Sequence, residues 1–303
     1  MNSRAQIRML SDGRRLHLRL HLHDGPIDII LEAFGPAAEI KSAYHAAAKR
    51  FVAVLDELCA ELVFLRQPAR EHSPLPHGRI ARKMLSAVQP YAAQAFITTM
   101  AAVAGAVAEN VLESMTAAAA LSRAYVNDGG DIALHLTRHE KFIVGMLDQP
   151  KRPSLFGTTT VEAHQPVRGI ATSGWRGRSF SLGIADAVTV LADTAAMADA
   201  AATIIANAID LPGHPAIRRI SARELAPDSD LGERLVTQAV GALSPDEIFT
   251  ALSSGARVAE SLRTRKLIRA AALNLLGETR LVGGQSGVLP SNEFALERNL
   301  VHG

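Results

Sequence analysis

The sequence is short of sulfur and of rings. A single cysteine, Cys59, rules out an internal disulfide. It falls in a helical apolar pattern with Val54, Leu55, Leu58 and Leu62, which predicts a buried, inert thiol. Aromatic residues make up 4% of the chain, leaving few platforms on which bases could stack. Lys and Arg number 32 against 30 Asp and Glu, so there is no strong field of either sign. Together these exclude nucleic acid as the expected partner. No run of about 18 uninterrupted apolar residues occurs, so no membrane partner is expected. The start, MNSRAQIRMLSDGRRL, has no apolar signal core, and the expected location is the cytoplasm. With 48% hydrophobic and 20% charged residues, the 303-residue chain has ordinary globular composition and enough length for a substantial core.

What is present begins with a strict alternation. In residues 14–23, RRLHLRLHLH, Leu16, Leu18, Leu20 and Leu22 take one face of a strand and His17, Arg19, His21 and His23 the other. Asp24-Gly25-Pro26 turns the chain into a second strand, IDIILEAF. Three histidines on one face suit a transition metal, but Arg19 lies between them and no carboxylate accompanies them in the sequence, so a solvated face is expected. From Pro36 to Leu65 the apolar spacing is helical, and 67–78, QPAREHSPLPHG, reads as an exposed loop or linker. Helices follow over Ile80–Val88 and Thr98–Met115. The second is rich in Ala and Gly, so it is read as a central helix lying on a sheet, with Gly105 marking a close neighbour.

Three later stretches carry candidate chemistry. Asn127-Asp128-Gly129-Gly130-Asp131 joins two strands in a tight turn that either presents backbone groups to a ligand or is a plain hairpin. Thr172, Ser173 and Gly174 end another strand, where hydroxyls and a glycine suit phosphate oxygens. Ser173 and His164 do not read as a hydrolase pair, because the Gly-x-Ser-x-Gly elbow is missing. Arg176 and Arg178 follow as either anion contacts or a basic loop. Asp193 or Thr194 caps a helix running to about Ala208, on which Asp199, Thr203 and Asn207 recur every fourth residue. Hard oxygens at that spacing can share one Mg²⁺, although a polar stripe also reads as a solvated face. Beyond Pro212 the chain is turn-rich. Ser244-Pro245 then starts helical patterns reaching 276, which read as an appendage whose Arg263, Arg265, Lys266 and Arg269 are solvated.

AYVNDGGDI at 124–132, RGIATSG at 168–174 and AVTVLADTAAMADAAATIIANAI at 187–209 resemble, in order, the blocks of the ApbE-like superfamily, the FAD:protein FMN transferases. GPIDIILEAFG and LAPDSDLGERLVTQAVG resemble its uncharacterised, divergent branch. The resemblance implies an α+β fold of mixed or antiparallel sheets packed with long helices around a duplicated T-fold-like core. One such domain would span 1–283, with a flexible tail over 284–303. It implies Mg²⁺ held by Asp199, Thr203 and a carbonyl near Gly129 and Gly130. The FAD site would draw on Asn127, Gly129, Gly130, Asp131, Thr172, Ser173, Gly174, Arg176 and Arg178. The implied activity is Mg²⁺-dependent FMN transfer to an acceptor protein or cleavage of the FAD pyrophosphate, with a second copy of the chain left open as a partner. One block departs: where the transferases carry His-x-Ile-Asp-Pro-x-Thr-Gly, this chain has WRGRSFSLGIAD, whose one acid, Asp186, is either a candidate base or a turn residue. The alternative is therefore a nucleotide-binding or protein-interaction protein that no longer transfers.

Overall fold

The computed structural model describes residues 5–10, 18–147, 155–283 and 289–290. His17 and most of the 284–303 tail lie outside them. In chain order the elements are β1 (Gln6–Leu10), β2 (Arg19–Asp24), β3 (Ile27–Phe34), α1 (Ala37–Phe51), α2 (Val54–Ala60), α3 (Leu62–Leu65), α4 (Arg79–Val88), α5 (Val103–Ala118), β4 (Arg123–Asp128), β5 (Asp131–Leu136), β6 (Lys141–Leu147), β7 (Leu155–Glu162), β8 (Gly169–Ser173), β9 (Ala187–Ala192), α6 (Ala195–Ala208), β10 (Ile217–Ser221), α7 (Ala222–Leu225), β11 (Leu235–Val240), α8 (Pro245–Thr264), β12 (Ala270–Leu275), β13 (Glu278–Val282) and β14 (Leu289–Pro290). A short 3₁₀ turn, Thr99–Ala102, leads into α5. The fold is α+β.

Nine strands form one antiparallel sheet in the order β1-β2-β3-β4-β5-β8-β9-β12-β13. Its two halves repeat one plan: β2 and β3, helices, β4 and β5; then β8 and β9, helices, β12 and β13. They meet where β5 pairs β8, with Ile132 opposite Ile170 and Ala133 opposite Gly169. The alternation of β2 continues into β3, burying Leu20, Leu22, Ile29 and Leu31 on one face. Each such side chain contributes about 1.5–3 kcal/mol when fully buried. Helices α1, α5, α6 and α8 cover that face. On the other face the β6–β7 hairpin closes a smaller cluster of Leu134, Leu136, Val161, Val167 and Ile170.

Two glycines let the helices come close. A Cβ on Gly105 of α5 would stand 2.4 Å from the carbonyl oxygen of Ala195, at the start of α6. One on Gly169 of β8 would stand 2.1 Å from the carbonyl group of Thr194. The first turn of α6 is thus pinched between α5 and β8, while the Thr194 hydroxyl caps it by accepting from the Met197 amide.

Several sequence expectations need correction. The helix expected from 36 to 65 is three helices, interrupted after Phe51 and Ala60. The break shifts the helical phase, so Val54 and Leu58 are buried but Cys59 is exposed, not buried. The 244–276 segment is no helical appendage: α8 ends at Thr264, packs on α6 and β12, and is followed by β12, every residue of which is buried. Alanine-rich AAALNL favours helix locally, but pairing on both edges, with β9 and β13, outweighs that preference. Arg269 is not merely solvated, since it makes two 2.6 Å bonds to Asp193. A carboxylate does accompany the histidines of β2: Asp28, from β3, lies 2.5 Å from His21 Nε2. Even so, among the described residues no three His, Cys, Asp or Glu side chains converge to hold a metal. Among the same residues no helix is long and apolar enough to cross a membrane.

Candidate functional site

The junction of the two halves opens into a cavity of about 690 Å³. Its lining includes Asn127, Gly129, Gly130 and Asp131 from the β4–β5 turn, Thr172, Ser173 and Gly174 from the end of β8, and Asp199 and Thr203 from α6. Three separate stretches of sequence therefore converge here.

Hydrogen bonds stitch them together. The β4–β5 turn needs left-handed backbone at Gly129 (φ 64°) and Gly130 (φ 114°), and Asn127 Oδ1 closes it by accepting from the Gly130 amide at 2.8 Å. Asp131 Oδ1 accepts from the Thr172 amide at 3.3 Å, which ties the turn to β8. The Thr172 and Thr189 hydroxyls lie 2.9 Å apart, joining β8 to β9. Asp199 Oδ2 accepts from the Gly105 amide at 3.1 Å, so α5 helps aim the carboxylate.

Asp128, not singled out in the sequence, belongs to the same cluster. The alternation Ala124, Val126, Asp128 on β4 carries it to the buried face, where it is 6% exposed, and Oδ1 accepts from the Asp28 amide at 3.3 Å. Burial pushes its carboxyl up to about 7, against the pull of the Asp28 amide and the Arg178 charge. Asp131 and Asp199 are both raised, chiefly by burial; the charge of Asp199 and then of Asp128 adds to the effect on Asp131, and the charge of Asp128 to that on Asp199. Asp131 and Asp199 thus line the cavity with the buried Asp128 close enough to act on both. Arg178 acts on Asp128: it lines the cavity, is held by a 2.8 Å bond to the Pro26 carbonyl, and its guanidinium would stand 3.0 Å from a Cβ on Gly129.

The remaining candidates are placed differently. Arg176 does not line the cavity; it stacks on Trp175 and bonds Asp186 Oδ1 at 2.5 Å. Asp186 touches the cavity, but Oδ1 also accepts from Trp175 Nε1 at 3.1 Å and Oδ2 from the Leu276 amide at 2.6 Å. It ties the β8–β9 loop to the β12–β13 turn. Asn207 lines the cavity, yet its Oδ1 accepts from the Leu182 amide at 2.9 Å. His164 is paired with Glu162 at 3.1 Å, away from Ser173. Sequence reading also missed other lining residues: Arg66, Phe96, Ile97, Thr98 and Met100, and Asp228 to Leu231. These residues are far apart in the chain and carry no shared local pattern.

The donor set fits a hard divalent cation. Asp199 and Thr203 lie one helical turn apart on the same cavity, and a cation near them would ease the repulsion that the charges of Asp199 and Asp128 exert on Asp131.

The chain resembles several known proteins. A UPF0280 protein of Methanopyrus kandleri is 39% identical over 129 residues, 42% of this chain and 48% of that protein. A UPF0280 protein of Methanosphaerula palustris is 33% identical over 165 residues, covering 51% and 63%. The chain spans about half the length of the curated relatives it matches. Among solved structures, a flavin transferase ApbE from Vibrio cholerae aligns with a TM-score of 0.46 and 12% identity over 88% of this chain and 98% of that one. The sequence profile of the family described as "AbpE bacteria" matches residues 7–281, which takes in every strand of the nine-stranded sheet but the first residue of β1 and the last of β13, and the whole cavity wall; the chain belongs to that family.

Proposed function

We propose that this protein binds FAD with Mg²⁺ in the junction cavity and acts on the FAD pyrophosphate. The observation that carries the reading is the convergence of the Asn127–Asp131 turn, Thr172 to Gly174, and Asp199 with Thr203 on one cavity. Asp199 and Thr203 would hold the metal, together with a carbonyl of the Gly129–Gly130 turn. When bound, Mg²⁺ supplies positive charge that offsets the charge on the pyrophosphate. The Thr172 and Ser173 hydroxyls and the amides around Gly174 orient phosphate oxygens, and Arg178 adds a cation to the same wall. In the reaction, a water or acceptor hydroxyl forms a bond to the FMN-side phosphorus and the bridging P–O bond breaks. AMP leaves with the bridging oxygen, and the nucleophile's proton is released to solvent.

In this reading Asp186 holds its loop and is not the base, because Arg176, Trp175 and Leu276 occupy its oxygens. That observation, with the lack of a histidine in WRGRSFSLGIAD, favours a second reading in which the protein binds the nucleotide and does not transfer it. One experiment separates them. FAD is titrated with and without Mg²⁺ against wild type and Asp199→Asn, and AMP release is then measured. Mg²⁺-dependent binding that needs Asp199, with AMP release, supports the enzyme; the same binding without AMP supports the binder. No FAD binding in either condition sinks both.

A further inference from the structure

The cavity has a second end, built around Thr98. The Ala69 amide donates to the Ile97 carbonyl at 2.8 Å, Pro68 and Thr98 form an isolated β-bridge, and the Thr98 hydroxyl donates to Asp230. The segment after α3, the turn before α5 and the 226–231 segment therefore meet at one buried residue, the first through its backbone and the last through its hydroxyl. The 3₁₀ turn Thr99–Ala102, about 2 Å per residue, and the start of α5 separate this node from Gly105, whose amide holds Asp199. Six residues, 99–104, thus lie between the node and Gly105.

Arg66 lies two residues before Pro68 and lines the cavity half-buried. Among the described residues its guanidinium has no hydrogen bond or ion pair, whereas Arg178, on the same cavity, is tied to the Pro26 carbonyl. Its planar fork of donors keeps access to water and is not taken up by the protein, so it is available to acceptors on a ligand in the cavity. Phe96, Ile97 and Met100 make the surrounding surface apolar, and Arg234 stiffens the Phe96 ring by stacking 3.2 Å from its centroid. Asp228 and Asp230 also line this end, so a ligand group that is itself anionic would be repelled.

We propose that Arg66 is the specificity-determining residue of this end, selecting a flat, uncharged heterocycle by donating to its carbonyl or ring-nitrogen acceptors while Phe96 and Met100 cover its face. This deepens the nucleotide reading, on which it rests for the class of ligand. The test measures FAD and Mg²⁺-pyrophosphate binding by calorimetry for wild type, Arg66→Gln and Arg66→Lys, with riboflavin, adenosine and guanosine as ring-only probes. Arg66→Gln should weaken FAD about 10-fold or more, as expected for a lost charged donor, and leave Mg²⁺-pyrophosphate unchanged. Arg66→Lys should not restore FAD binding, because it lacks the planar fork. Unchanged FAD binding in Arg66→Gln, or parallel loss of pyrophosphate, would overturn the proposal. If wild type binds pyrophosphate but not FAD, the flavin reading fails separately. Binding of any ring-only probe that Arg66→Gln abolishes would then still uphold Arg66, and binding of none would overturn it.

Discussion

Gly169→Ala should damage both stability and ligand binding through one displacement. The added Cβ would meet the carbonyl carbon and oxygen of Thr194 at 2.1 Å and the Ala195 amide nitrogen at 2.2 Å. All three are backbone atoms at the start of α6, so no side chain can swing aside. Reaching an ordinary 3.4 Å contact requires the helix or the strand to move by more than an ångström. The helix is braced from behind as well, because Gly105 of α5 lies just as close to Ala195 and the Ala196 amide donates to Glu109 at 2.8 Å. Overpacking typically costs about 1–3 kcal/mol, and a backbone obstacle held from two sides belongs near 3 kcal/mol. For a chain of this size that is a fall in Tm of roughly 6 °C. Asp199 is the fifth residue of the same helix and moves with it relative to Asp131 and Thr172, and a misplacement of about 1 Å can cost on the order of 100-fold in a positioned site. Thermal unfolding followed by circular dichroism, and FAD titration in Mg²⁺, read the two effects. A variant that melts within about 1 °C of wild type, well inside the expected shift, would refute the reasoning.

Three further outcomes follow from the same structure. Glu247 is drawn down to about 2 by the Ser244 amide first and the His214 hydrogen bond next, so its contribution is full above the ordinary glutamate value and is lost as pH falls through about 2. Glu247→Gln should accordingly be less stable than wild type near pH 6 and converge with it near pH 2 in urea melts. Arg269→Ala should cost about 1 kcal/mol, since the Asp193 pair is bidentate but about a third exposed; a double-mutant cycle with Asp193→Ala showing full additivity would refute the coupling. Cys59 should react with a maleimide in the native protein at the rate of a free thiol, and protection until unfolding would contradict its exposure.

How much was legible depended on distance along the chain. The β2–β3 hairpin, the glycine-rich turn and α6 each carry a local pattern, and the structure places them as that pattern implies. Asp128 was legible in principle, since it continues the buried alternation of Ala124 and Val126, but its place inside a turn-like Asn-Asp-Gly-Gly string hid the strand phase. Arg66, Phe96 and the 226–231 segment could not be found this way. They meet only because β-bridge and hydroxyl contacts gather them at Thr98. For β12 the local signal pointed to helix, and only pairing with β9 and β13 reverses it.

The site draws on both halves of the sheet, and this couples ligand binding to the fold. Asp128 and Asp131 belong to the first half, while Thr172, Asp199 and Thr203 belong to the second. Without a cation, the charge of Asp128 in the first half raises Asp199 in the second, and that of Asp199 raises Asp131, so the halves' carboxylates repel across the junction. A cation shared between Asp199 and the β4–β5 turn would replace that repulsion with attraction, so Mg²⁺ should bind the folded chain and not the unfolded one. At 100 times its Kd, such a ligand adds about 2.7 kcal/mol to stability. At fixed ionic strength and neutral pH, saturating Mg²⁺ should therefore raise the Tm of wild type by several degrees and leave that of Asp199→Asn nearly unmoved. An equal rise in both proteins would mean that the cation acts on surface charge elsewhere, and Asp199 would lose its proposed role.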